Sequence, residues 1–242
     1  MLRHYGRKRT FKHNLKLAIL LSVTAGIVNV AGFISFSIYT TNVTGHVAQF
    51  AKELSEGNFH LAKIIALWML LFLMGAFFST TIIHLMEKRA PRFSHTLPLL
   101  IEAIILLYVG YLSENYASGT ERNHFLAGSL LFAMGLQNAM VTVVSGFVVR
   151  TTHLTGLFTD LGIELSKLFF IKTDERKELN KKIILHGSII IMFIAGGVIG
   201  GILFQYIQHK IFIVAAFILI VALLYDSTLV FFYKLKRKLF SR

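Results

Sequence analysis

The sequence contains no cysteine and only two prolines, Pro91 and Pro98, both around one connection. Without cysteine there is no disulfide framework, no thiolate nucleophile and no thiolate metal site. Acidic residues are scarce, 12 against 25 Lys and Arg, and charged residues make up only 15% of the 242 positions. No Gly-x-Ser-x-Gly, P-loop or His-Glu-x-x-His pattern occurs, so nothing supports hydrolysis or phosphoryl transfer. Histidines and acids lack ligand spacing, so no metal site is expected, and no cofactor is implied. The apolar runs also lack the period-two alternation of a transmembrane barrel.

What is abundant is apolar sequence. Hydrophobic residues reach 55% and mean hydropathy is +0.66, which places the chain among integral membrane proteins. The net charge of +13 is concentrated between long apolar runs, so nucleic-acid binding is the weaker explanation of the high pI. Six runs are long enough to cross a hydrocarbon core of about 30 Å as helix. They are Leu15–Ile38, Leu61–Leu85, Leu97–Leu112, Phe125–Val149, Ile183–Ile207 and Ile211–Tyr233. The first is too long for a signal-peptide core and lacks a small-x-small cleavage site.

All Lys and Arg but Lys52, Lys63, Arg122 and Lys210 fall in the two tails, the second connection or the fourth. The positive-inside rule then puts both termini in the cytoplasm. The basic tails are expected to rest on the anionic headgroups of the bilayer.

One phrase occurs twice. Thr40-Thr41-Asn42-Val43-Thr44-Gly45 returns as Thr151-Thr152-His153-Leu154-Thr155-Gly156, and the likeness extends to Glu53-Leu54 and Glu164-Leu165. Each copy follows an apolar run with a small-residue-and-amide pattern, Ala25-Gly26-Ile27-Val28-Asn29 and Met134-Gly135-Leu136-Gln137-Asn138. An odd number of spans per half inverts the second half in the membrane. The expected fold is therefore an all-α integral membrane protein of six transmembrane helices, arranged as two inverted three-helix repeats. Residues 15–112 and 125–233 form the repeats, between basic cytoplasmic tails 1–14 and 234–242. Such repeats recur in secondary transporters, with the site near the midplane between halves.

The residues after each motif, 46–54 and 157–170, are apolar enough to enter the bilayer partly. A Thr or Asn before them caps the helix, or the free N–H groups face an anion or polar ligand. Ligand-binding candidates are Asn29, Thr41, Asn42, Thr44, Gly45, Gln137, Asn138, Thr152, His153, Thr155 and Gly156. Asn29 and Asn138 would face each other across the pseudo-two-fold axis, binding solute or each other's helices.

Glu102 and Asp226 lie within the third and sixth runs at similar depth, and the only Lys or Arg in the spans, Lys16 and Lys63, stand at the ends of the first and second runs. They are the proton-coupling candidates, with His84 and His186 as possible partners at that depth. Asp160 and Glu164 share one face after the second motif, where the first copy has Gln49 and Glu53. They line a vestibule or simply a solvated face. Gly196, Gly197, Gly200 and Gly201, and the Gly75–Ser79 pair, read as close helix packing, within one subunit or between two copies joined through 183–207.

Taken together, Ala25-Gly26-Ile27-Val28-Asn29, Thr41-Asn42-Val43-Thr44-Gly45, Gly135-Leu136-Gln137-Asn138-Ala139 and Thr152-His153-Leu154-Thr155-Gly156 resemble the YoaK-type family of bacterial inner-membrane proteins. The resemblance covers roughly residues 15–233 and departs at His46, where relatives carry Asn after the first Thr-Gly. It implies a membrane location, six or seven spans and no particular substrate. The function expected from the sequence is transport of a small molecule or ion in the cytoplasmic membrane, coupled to protons. The rival is a non-transporting membrane protein: a ligand sensor, a scaffold or the substrate-binding subunit of a larger complex. No enzymatic activity is expected.

Overall fold

The computed structural model describes residues 11–90, 94–115, 119–146, 148–170 and 175–224. Among them every regular element is helical and none is a strand. The helices are α1 (Phe11–Phe36), α2 (Val43–Ser55), α3 (Phe59–Arg89), α4 (Thr96–Asn115), α5 (Thr120–Val144), α6 (Leu154–Lys167) and α7 (Arg176–Ile207). A 3₁₀ turn at Gln208–Lys210 leads to α8, residues 211–224. Among the described residues five stretches have the length and hydropathy to cross a membrane, the last running from Arg176 to Leu224. That last stretch is 49 residues long, which as one straight helix would approach about 74 Å, more than twice a hydrocarbon core. Gln208 breaks it, with φ at +47°. Beyond the break, Phe212, Ala215, Ala216, Leu219 and Leu223 return one apolar face to the core.

Helix ends differ from the sequence expectation where the backbone changes hand. The first run was expected to reach Ile38 but stops at Phe36, because Ser37 takes φ +58° and closes the last turn by donating its N–H to the Phe33 carbonyl. The fourth was expected to reach Val149 and stops at Val144, before Gly146 at φ +68°. The two segments following the Thr-Gly motifs are helices in their own right, α2 and α6.

Glycines set the main packing. α1 lies chiefly against α7, and α3 against α5. A Cβ at Gly26 would overlap the Phe193 carbonyl oxygen, and one at Gly196 would overlap that of Val23. In the other pair, Gly135 meets the Phe72 carbonyl and Gly75 that of Phe132. These backbones are in direct contact, as small residues allow. The Gly196, Gly197 and Gly200 stripe thus faces Val23, Val30 and Ile27 of the same chain. Its packing role is intramolecular. Contacts along α1 and α7 advance together, Val23 with Gly196 and Ser35 with His209, so these helices run parallel. Against α5, Leu21 meets Gln137 and Gly32 meets Leu130, so α1 and α5 run antiparallel.

Candidate functional site

The first Thr-Thr motif is the turn between α1 and α2. Asn29, in the last third of α1, accepts from the Thr41 backbone N–H at 3.1 Å and from the Thr41 hydroxyl at 2.9 Å. Thr40 beside it is fully buried, and its hydroxyl has no hydrogen-bond partner among the described residues. Asn42 is the N-cap of α2 and accepts from the Gly45 N–H at 3.0 Å. A Cβ at Gly45 would press on the Asn42 amide and make that side chain shift. Thr44 is exposed at the start of the helix. Capping therefore accounts for Asn42 and Gly45.

Further along α2, the buried His46 donates from Nε2 to the Tyr39 carbonyl at 2.8 Å and packs edge-on against Trp68. Burial holds this imidazole below its ordinary range, outweighing the Tyr39 carbonyl, which acts in the opposite direction. Asn58 closes the far end of α2 by donating to Glu53 at 3.0 Å.

The second motif is built on the same plan with different partners. Thr151, buried like Thr40, accepts from Gln137 Nε2 at 3.3 Å, and the same amide donates to the Leu21 carbonyl at 3.1 Å. Gln137 Oε1 and Asn138 Oδ1 are buried without a hydrogen-bond partner among the described residues. His153 occupies the N-cap position of α6 and makes no capping bond; its ring lies over Gly156, as Asn42 lies over Gly45. Thr152 is half-buried and Thr155 exposed.

Next to His153 is a polar cavity of about 210 Å³, lined by Val148, Arg150, His153, Leu157, Asp160 and His186. Behind its wall, His186 Nδ1 lies 3.0 Å from Glu164 Oε2, both side chains largely buried. A larger pocket, about 440 Å³ between α3, α4 and α5, is apolar over most of its wall and holds no motif residue.

Several expected groupings do not form. Among the described residues Asn29 and Asn138 are not bonded to each other: Asn29 Oδ1 accepts from Thr41, and Asn138 Oδ1 has no partner. His186 pairs with Glu164 and His84 lies near Glu87, at 3.8 Å, so neither serves Glu102. Glu102 is fully buried in α4, and neither carboxyl oxygen has a hydrogen-bond partner among the described residues. Asp226 lies outside the described residues. Asp160 faces the cavity while Glu164 meets His186, so this pair is more than a solvated face. The motif pattern alone does not single out Arg150 as a lining group, since it stands just before the repeated phrase.

A family model matches residues 17–225, and its family is described as "Protein of unknown function (DUF1275)". The chain belongs to this family. It is 27% identical to the UPF0700 transmembrane protein YoaK of Bacillus subtilis (strain 168) over 186 residues, covering 76% of this chain and 80% of that protein. No solved structure matches. The protein is accordingly a membrane protein with an all-helical fold.

Proposed function

We propose that the protein transports a small molecule or ion across the cytoplasmic membrane by alternating access between two inverted halves, α1–α4 and α5–α8. Each half contributes three crossings and one short helix, six crossings in all, with both termini cytoplasmic.

The observation that carries this reading is the equivalence of the two glycine crossings. The spacing from Gly26 to Gly135 equals that from Val23 to Phe132, and the spacing from Phe72 to Phe193 equals that from Gly75 to Gly196. Exchanging α1 with α5 and α3 with α7 therefore converts one set of contacts into the other. The α1–α5 crossing is antiparallel about Ala25-Gly26 and Met134-Gly135, as a two-fold axis in the membrane plane requires. The amides Asn29, Gln137 and Asn138 stand within one turn of it. Transporters of this construction bind solute at such a midplane junction.

In this reading Asn138, Gln137 and the two Thr pairs surround the solute. Glu102, buried and with no hydrogen-bond partner among the described residues, carries the coupled proton. A second copy, if it joins through 183–207, has only the outward side of α7 to use, Ile191, Ile194, Val198 and Ile202.

The test is flux in proteoliposomes loaded with a pH-sensitive dye and challenged with a panel of ions, sugars, amino acids and carboxylates. A solute that moves protons is expected to lose most of its flux in Asn138→Ala and its proton coupling in Glu102→Gln. Equal behaviour of wild type, Thr44→Ala, Asn138→Ala and Glu102→Gln on a confirmed solute removes the site assignment. A chain inert to the whole panel counts against transport.

A further inference from the structure

α6 carries a stripe of four residues, His153, Leu157, Asp160 and Glu164, at the spacing that keeps side chains on one helix face. At the far end of the stripe the buried Glu164 carboxylate lies 3.0 Å from Nδ1 of His186 on α7. A carboxylate only accepts, so Nδ1 carries the proton, and in the neutral ring Nε2 is left as an acceptor. Beside the stripe lies the polar cavity of about 210 Å³, which Arg150 joins from the residues before α6 and His186 from α7. Leu157 is its buried apolar floor.

The cavity has two unlike ends. Arg150 and His153 stand at the start of α6, whose first N–H groups receive no side-chain cap and form the positive end of the helix dipole. Asp160 stands two turns further on, about 10 Å along the axis, toward the end where Glu164 holds His186. Arg150 and Asp160 carry opposite charges and line the same cavity, yet neither makes an ion pair or hydrogen bond among the described residues. Charges closed on each other would have nothing to offer a ligand. These two are held apart.

We propose that this cavity binds a small zwitterion. Its anionic group meets Arg150, His153 and the start of α6, and its ammonium meets Asp160 and His186. A lone anion would gain Arg150 but face Asp160 and Glu164, and a lone cation would meet the reverse. A molecule carrying both charges leaves neither end unpaired, which matters because a charge taken out of water needs a partner. The volume is below the roughly 300–1,000 Å³ of pockets for drug-sized ligands, so the ligand, or the part of it that enters, is small. An oxyanion tied to an ammonium group is the chemistry of a free amino acid and of an ethanolamine phospholipid headgroup alike. The site is separate from the amides Asn29, Gln137 and Asn138 and does not depend on transport.

The full chain in nanodiscs of phosphatidylglycerol is titrated by calorimetry with glycine, β-alanine and γ-aminobutyrate, and with butyrate and butylamine as single-charge controls. At least one amino acid is expected to bind, about ten-fold or more tightly than either control. Arg150→Gln should lose the preference over butylamine, and Asp160→Asn the preference over butyrate. Both side chains are exposed, so an unchanged thermal midpoint shows that each variant is folded. Asn138→Ala should bind as the wild type does. Binding that ignores Arg150→Gln and Asp160→Asn, or that is lost only in Asn138→Ala, places the ligand elsewhere and overturns the proposal.

A second arm separates the two sources. Phosphatidylethanolamine is added to the nanodiscs, and the lipid retained by the protein is read by native mass spectrometry. Amino-acid binding in phosphatidylglycerol alone assigns a free solute. Retention of phosphatidylethanolamine by the wild type but not by Arg150→Gln or Asp160→Asn, with the amino acids inert, assigns the headgroup. Neither amino-acid binding nor lipid retention overturns the proposal. Binding here without flux of any panel solute leaves this site standing and removes transport, whereas flux lost in Asn138→Ala, with no zwitterion bound at Arg150, does the reverse.

Discussion

At the scale of single residues, the two copies of one phrase show how little a motif specifies without its neighbours. Asn42 and His153 occupy the same position and nearly the same backbone conformation, φ/ψ −103°/73° and −96°/56°. Only the first caps its helix. Asn42→Ala should therefore cost about 1 kcal/mol, seen as a lower thermal midpoint in detergent. His153→Asn should add the missing bond and stabilise α6 by up to about 1 kcal/mol. If His153→Asn leaves the midpoint unchanged or lowers it, the ring is making a contact more valuable than a cap.

His46 gives a pH dependence at the same scale. Its imidazole is held by burial below the ordinary histidine value, about 6.5. As pH falls, the unfolded chain takes up this proton before the native one does. The contribution is thus complete above about 6.5 and is lost as pH drops below it toward the lowered native value. The thermal midpoint should fall between pH 7.5 and 5.5, and by less in His46→Gln, which cannot ionise. Parallel slopes in the two proteins would exclude His46 as their source.

At the scale of elements, glycine divides into two populations that sequence spacing does not separate. Gly26 and Gly135 meet backbone carbonyls of a crossing helix, whereas Gly162 and Gly187 have nothing within 4 Å of an added Cβ. Ala at either of the first two must push rigid backbone apart, at about 1–3 kcal/mol. Gly162→Ala and Gly187→Ala should instead be neutral or stabilising by about 0.5–1 kcal/mol, because Ala is the better helix residue. Thermal melts of the four single variants check this, and a tolerated Gly26→Ala would mean that α1 and α7 are further apart than described.

The helices themselves were largely readable from the chain. Long apolar runs must be helical in lipid, and α1, α3, α4, α5 and α7 coincide with five of the six runs expected. Their ends were less readable, since Ser37 and Gln208 adopt positive φ without being glycine. No local rule anticipates either.

At the scale of the whole molecule, the charge distribution predicts topology. Reporter fusions or cysteine labelling at the two termini should find both on the cytoplasmic side. A terminus on the opposite face would break the inverted relation between the halves, because the basic connections could not then all lie inside. Alternating access between inverted halves would fall with that outcome.

Composition and pattern by themselves determined that this is a helical membrane protein, where its long helices run, that a short helix follows each copy of the repeated phrase, and that a Thr or Asn of the phrase is placed to cap it. Those properties follow from hydrophobicity, periodicity and near-neighbour hydrogen bonding, which are written locally. Tertiary structure alone decided that α1 packs on α7 and α3 on α5. It also decided that Gln137 reaches Leu21 across 116 positions, that His186 belongs to Glu164 rather than Glu102, and that Asn29 Oδ1 is taken by Thr41 while Asn138 Oδ1 has no hydrogen-bond partner among the described residues. The reason is physical. Identical amides face different surroundings once helices far apart in the chain are brought together, and a hydrogen bond depends on what arrives within 3 Å.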